Sequence, residues 1–165
     1  MERAPRVDTA TLRGARAVGI VCAIAFLAPV ILSVIFPQAF LFTPYHDAYQ
    51  RMLSAMLLAF GLGLALALRD PARNAGVYAV IGLASGCLTG AIVYTLLVEP
   101  GQDPLHWFAQ VPLLGLVAIA LVVTYTRLRR PHPVIVRIVV VAVVLFPVAL
   151  YVYDLALRSF VAHRY

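Results

Sequence analysis

The sequence predicts an all-α integral membrane protein that folds as a bundle of five transmembrane helices. Of its 165 residues, 63% are hydrophobic and 12% are charged, and the mean hydropathy is +0.94. Soluble domains carry about 25% charged residues, so this composition belongs to the membrane class. Five apolar stretches can each form a helix of about 20 residues, which crosses the ~30 Å apolar core of a bilayer. The predicted spans are about 17–36, 44–68, 72–98, 104–126 and 133–157.

The first span is expected to remain in the protein as a helix, although the basic segment before it resembles the start of a signal peptide. Its 20 apolar residues exceed the roughly 7–15 of a signal-peptide core. The predicted organisation is therefore a cytoplasmic basic tail at 1–16, a single five-helix membrane domain at 17–158 and a short outer tail at 159–165.

The next three spans each begin with a capping residue followed by proline. An oxygen-bearing side chain at the N-cap accepts a hydrogen bond from a free backbone N–H, and proline at the first helical position has no N–H to satisfy. The pairs are Thr43-Pro44, Asp70-Pro71 and Asp103-Pro104. The fifth span opens at 131–133 with the sequence Pro-His-Pro.

The distribution of arginine predicts the orientation of the bundle. The chain has no lysine, and ten of its 13 arginines lie in the N-terminal tail, in the link after the second span and around the link before the fifth. The positive-inside rule then places the N-terminus in the cytoplasm and the C-terminus outside. We expect a multi-pass protein of a bacterial inner membrane, with anionic lipids as partners at its cytoplasmic face. Nucleic acid is not an expected partner, because the arginines form no continuous face or recognition motif.

Small residues recur every four positions in the second and third spans. The candidate packing positions are Ala59 and Gly63 in the second span and Gly82, Gly86 and Gly90 in the third. Such stripes allow close backbone approach, and van der Waals packing is a main source of helix association in lipid. One interpretation is an internal hairpin, because a short link makes these two spans antiparallel neighbours. The other is that the triple-glycine face recruits another subunit.

The middle of the spans carries no Asp, Glu or His, which disfavours a proton relay, a path for charged substrates or a pair of haem ligands. No cofactor is therefore expected. The polar residues there include Ser85, Thr89 and Thr124. We expect their hydroxyls to bond to carbonyls of their own helix or to a neighbouring helix.

The outer face holds the candidate metal ligands. The predicted topology places His46, Glu99 and His106 there, and imidazole and carboxylate groups are ligands for Zn²⁺ and other divalent cations. Against a metal site, the spacing of these residues matches no known ligand motif. The nearby Asp47 and Asp103 also have structural uses, in an ion pair along the helix and as a helix cap.

Several short motifs lie within residues 45–125, about half of the chain. They are Tyr49 and Met52 in a Y-x-x-M pattern, Gly61, ALRDP at 67–71 followed by Asn74, Ser85, and QVPLL at 110–114. With these motifs the chain resembles the BphX-like family of small, largely uncharacterised bacterial integral membrane proteins. The resemblance implies a helical bundle of about four spans and implies no activity, cofactor or site. The chain departs from the family pattern around Gly82, Gly86 and Thr89, where Trp and His are common in the family, and in its additional fifth span.

The leading functional prediction is a non-enzymatic multi-pass membrane protein. It would act as an accessory, assembly or scaffolding subunit of a larger complex, because the polar interior needed for transport or catalysis is absent from the sequence. An alternative is a small carrier or binder of a lipid, quinone or other apolar ligand, in a cleft opened by kinks at Pro29, Pro112 and Pro147. A second alternative is a membrane enzyme with an outer-face metal, for which His46 and His106 would have to converge.

Overall fold

The chain folds as five α-helices in a computed structural model. The structure describes residues 7–36, 47–98 and 104–162, with the backbone alone at 47–50, 104–109 and 162. The helices are α1 (Thr9–Ile35), α2 (Asp47–Ala67), α3 (Ala75–Val98), α4 (Pro104–Arg129) and α5 (Pro133–Ala162). The predicted all-α fold is confirmed for this part of the chain.

Four of the five helices have the length and apolar composition needed to cross a membrane, namely α1, α3, α4 and α5. In α2 the apolar segment with described side chains is shorter, Arg51–Ala67. Four such helices are consistent with a multi-pass membrane protein.

Helix α1 begins earlier than the sequence predicts. It starts at Thr9 instead of residue 17, because Asp8 caps it: the Thr11 N–H donates a 2.8 Å hydrogen bond to Asp8 Oδ1. Residues 9–16, in the predicted basic tail, are therefore helical. At the other end of the chain, α5 continues to Ala162, beyond the predicted end at 157.

Helix α3 begins later than predicted, at Ala75. Asp70 does act as a cap, but it caps a separate turn at 71–74, in which its Oδ1 accepts a 3.1 Å hydrogen bond from the Arg73 N–H. Helix α4 starts at Pro104 as predicted and ends at Arg129, three residues beyond the predicted 126. The proposed caps Thr43 and Asp103, with Pro44, lie outside the described residues.

The core of the bundle lies among the first four helices. Phe26, Leu64, Tyr78 and Leu121, one from each helix, are almost fully buried and pack in one cluster. The most extensive helix contacts are those of α3 with α4 and of α1 with α2, whereas α2 and α3 touch less extensively. Helix α5 lies outside this core and packs mainly on α3.

One end of the bundle gathers the arginine-bearing segments. Ala15 of α1, Ala75 at the start of α3 and Leu128 near the end of α4 are buried against one another, and each has an arginine within two positions in the sequence. The Tyr78 hydroxyl donates a 3.2 Å hydrogen bond to the Ala15 carbonyl and joins α3 to α1 at the same level. We call this the arginine-rich end.

Candidate functional site

The glycine stripe of α3 faces α4 and α5. A Cβ atom at Gly82 would lie 3.0 Å from Leu121 Cβ and 3.2 Å from the Val122 backbone nitrogen, both in α4. A Cβ atom at Gly86 would lie 3.0 Å from Val143 Cγ1, and one at Gly90 would lie 3.3 Å from Pro147 Cγ, both in α5. The internal hairpin interpretation expected these glycines to face α2, and in this respect it was wrong.

Gly63 and Ala59, the candidate packing positions of α2, have different surroundings. A Cβ atom at Gly63 would be 3.6 Å from Ile81 Cδ1, so this position does face α3, in ordinary van der Waals contact. Ala59 is exposed. The contact of α2 with α3 is therefore looser than the stripe of small residues suggests.

The sequence analysis missed the interface between α1 and α2. A Cβ atom at Gly61 would lie 2.5 Å from Leu27 Cγ, and one at Gly19 would lie 2.7 Å from Leu68 Cδ2. A sequence signal existed: Ala15, Gly19 and Ala23 follow the same four-residue spacing in α1 and are all buried. This spacing permits the close approach of two helix backbones.

Helix α5 presents most of its apolar surface away from the rest of the chain. No residue in its most apolar 18-residue stretch is buried. The partly buried positions between 133 and 161 form one narrow stripe with helical spacing, which comprises Val136, Val139, Val143, Phe146, Pro147, Leu150 and Asp154. The remaining residues in that range are exposed, including Val140, Val141, Val144, Val148 and Val152.

A polar contact joins α5 to α3 at the end of the bundle opposite the arginine-rich end. The Tyr94 hydroxyl donates a 2.5 Å hydrogen bond to Asp154 Oδ2, and both side chains are partly buried. Asp154 is the last member of the α5 stripe. The apolar interface therefore ends in a directional contact that specifies how the two helices align.

The hydroxyl groups of Ser85, Thr89 and Thr124 bond back to the backbones of their own helices, as expected. Ser85 donates to the Ile81 carbonyl at 2.8 Å, and Thr124 donates to the Ala120 carbonyl at 2.7 Å. Thr89 donates to the Ser85 carbonyl at 2.9 Å. These hydroxyls satisfy their hydrogen-bond donors inside one helix and do not form a polar path between helices.

The candidate metal ligands cannot be placed together. His46 and Glu99 lie outside the described residues, and His106 lies in the first turn of α4, where only the backbone is described. Within the described part of the chain, no group of three or more His, Cys, Asp or Glu side chains is arranged to hold a metal ion.

Two depressions lie near the arginine-rich end. A cleft of about 270 Å³ between α1 and α4 is lined by Ala10, Thr11, Gly14, Ala15, Val18, Thr124 and Arg127. A shallower groove of about 450 Å³ runs along the start of α3 and is lined by Arg73, Asn74, Gly76, Val77, Val80 and Ile81. The first has walls from two helices, whereas the residues lining the second come from α3 and the turn before it.

Comparisons of the chain with protein-family models, curated proteins and solved structures found no match. The resemblance to the BphX-like family stays a prediction.

Proposed function

We propose that the chain is a non-enzymatic, five-span protein of a bacterial inner membrane that serves as an accessory, assembly or scaffolding subunit of a larger membrane complex. In this proposal α2 also crosses the membrane, which brings the number of spans to five. Its 21 residues extend about 31 Å at 1.5 Å per residue, which matches the ~30 Å apolar core of a bilayer. The arginine-rich end faces the cytoplasm, as the positive-inside rule requires.

The observation that carries the proposal is the unburied surface of α5. Among the residues that the structure describes, only a narrow stripe of this 30-residue helix is partly buried. Its exposed face is rich in valine, whose branched side chain is restricted at χ1 and therefore loses little conformational freedom when it packs. In lipid, where helix association depends on van der Waals packing, such a face suits another transmembrane helix.

The test compares two positions of equal exposure on different helices. Val144 in α5 is 68% exposed and Leu116 in α4 is 66% exposed. A tagged chain is purified in mild detergent and the co-purifying proteins are quantified by mass spectrometry. We expect Val144→Trp to lower the recovery of a stoichiometric membrane partner and Leu116→Trp to leave it unchanged. Recovery of a monomer without any such partner, or equal recovery from both variants, would contradict the proposal.

A second candidate function is the binding of a lipid, quinone or other apolar ligand. The cleft between α1 and α4 favours it, although a volume of about 270 Å³ lies just below the ~300–1,000 Å³ of typical small-molecule sites. A purified chain that retains a stoichiometric small molecule and no protein partner would favour this candidate over the first.

A further inference from the structure

We propose that the cleft between α1 and α4 binds the headgroup region of one anionic phospholipid from the surrounding leaflet. The site requires the membrane placement of the bundle but does not depend on the subunit role. Its walls are Ala10, Gly14, Ala15 and Val18 on α1 and Thr124 and Arg127 on α4.

The lining of the cleft changes from polar to apolar along the helix axes, just as a phospholipid changes from a polar headgroup to apolar acyl chains. Arg127 lies near the end of α4, beside the level at which α1 begins, and its side chain is exposed. Val18 lies seven residues beyond Thr11, or about 10 Å deeper into the bundle. A phosphate at Arg127 therefore leaves the glycerol and the start of one acyl chain beside Gly14 and Val18.

The charges around the mouth of the cleft favour an anion. Asp8, the acid that caps α1, interacts electrostatically with Arg130 and accepts hydrogen bonds from Thr11. Arg127 takes part in no ion pair or hydrogen bond with another described side chain. A guanidinium group binds phosphate oxygens through paired N–H donors, which an ammonium group cannot do.

The cleft accepts part of a lipid and not a whole molecule. Its volume is about 270 Å³, so the rest of the acyl chains must lie along the apolar surface of the bundle. Apart from its chain neighbours and the backbone of its own helix, a Cβ atom at Gly14 would meet no heavy atom within 4 Å. A larger side chain at this position therefore begins in the open space of the cleft and reduces the volume left for a ligand.

The experiment measures the affinity of the purified full chain for phosphatidylglycerol and for phosphatidylcholine, by native mass spectrometry in detergent. We expect phosphatidylglycerol to bind more tightly and Arg127→Gln to weaken it about fivefold, the equivalent of ~1 kcal/mol per arginine near anionic lipid. Arg129→Gln is the matched control, because Arg129 lies in the same turn, carries the same charge and does not line the cleft.

A second pair of variants tests whether the lipid binds in the cleft between α1 and α4. Gly14→Leu is expected to weaken phosphatidylglycerol binding, whereas Gly76→Leu, at an equally open and exposed glycine in the α3 groove, is expected to leave it unchanged. Equal affinity for the two lipids would overturn the proposal. Equal losses of phosphatidylglycerol affinity in the two arginine variants, or in the two glycine variants, would also overturn it. If Gly14→Leu does not fold, the arginine pair alone decides the outcome.

Discussion

The hydroxyl of Tyr94 in α3 lies 2.5 Å from the Asp154 carboxylate in α5 and donates a hydrogen bond to it. The other partly buried members of the α5 stripe are apolar. Apolar contacts are not directional, so they allow one helix to slide or rotate against another at little cost. The Tyr94–Asp154 bond has one geometry and therefore defines the register of α5 on α3.

Removal of this bond is expected to loosen α5. Tyr94→Phe and Asp154→Ala should each lower the Tm of the detergent-solubilised chain, and the double variant should lower it by less than the sum of the two, because both changes break the same contact. Thermal unfolding followed by circular dichroism measures the effect. Tyr153→Phe, at a 62% exposed tyrosine of α5, is the control and should leave the Tm unchanged. Additive effects of Tyr94→Phe and Asp154→Ala would show that the two residues act independently.

Gly82→Ala is expected to destabilise the interface of α3 with α4. The new methyl group would lie 3.0 Å from Leu121 Cβ and 3.2 Å from the Val122 backbone nitrogen, so a backbone would have to move. Overpacking of this kind costs about 1–3 kcal/mol. Chemical denaturation in mixed micelles measures the loss. Gly76→Ala, where the methyl group meets open space, should be neutral or stabilising by up to about 1 kcal/mol, and a loss at Gly76 equal to that at Gly82 would contradict the predicted packing.

Opposite effects are expected from glycine at the last residue of α4 and at the residue that follows it. Arg130 has a φ of 46°, in the left-handed region that disfavours a residue with a Cβ atom, and its N–H donates a 2.9 Å hydrogen bond to the Thr126 carbonyl. Arg130→Gly should therefore stabilise the chain by about 1 kcal/mol. Arg129 is the last residue of the helix, so Arg129→Gly should destabilise it by about 1 kcal/mol. Unfolding free energies that change in the same direction for both variants would refute this interpretation.

The start of α1 is expected to fray at low pH. Hydrogen bonds from the Thr11 side chain and backbone N–H lower the pKa of Asp8 below its ordinary value of 3.8. The folded state therefore favours the ionised cap, whose stabilisation is present above the unfolded pKa and is lost as the pH falls through the lower, folded pKa. The protection of the Thr11 amide against hydrogen exchange, measured relative to the intrinsic rate at each pH, should fall below about pH 3.8. In Asp8→Asn, which caps without titrating, this protection should not fall in the same way.

The number of spans and the orientation are tested by alkaline phosphatase fusions in a bacterial host. Because this reporter is active only outside the cytoplasm, a fusion after Ala162 should be active and a fusion after Asn74 inactive. An inactive fusion after Ala162 would contradict five spans with a cytoplasmic N-terminus. Together with an active fusion after Asn74, it would be the result expected if α2 does not cross the membrane or if the orientation is inverted.

The capping pattern explains why some helix boundaries were predictable from the sequence. Pro104 begins α4 as predicted, since its ring suits the first helical position. Asp70 and Pro71 carry the same pattern, yet they form a separate turn and α3 begins at Ala75. The two cases share the Asp-Pro pattern and differ in where the helix begins, so the local pattern alone does not separate them.

The candidate sites were likewise predictable from the sequence only in part. Residue type and spacing identified Gly82, Gly86 and Gly90 as a stripe, but could not say that the stripe is shared between α4 and α5. The cleft between α1 and α4 was not predicted at all, because its walls are more than 100 residues apart in the sequence. No periodic pattern connects positions so distant.

By itself the sequence determined the helical class, the approximate positions of the five helices and the end of the bundle at which the arginines gather. These depend on hydrogen bonds within each helix and on the length of each apolar stretch, which are local properties. Only the tertiary structure decided which helices pack together, that α5 lies outside the core and that Tyr94 meets Asp154. The physical reason is that a helix such as α3 is apolar on every side, so its sequence contains no polar face to indicate which side meets a neighbour.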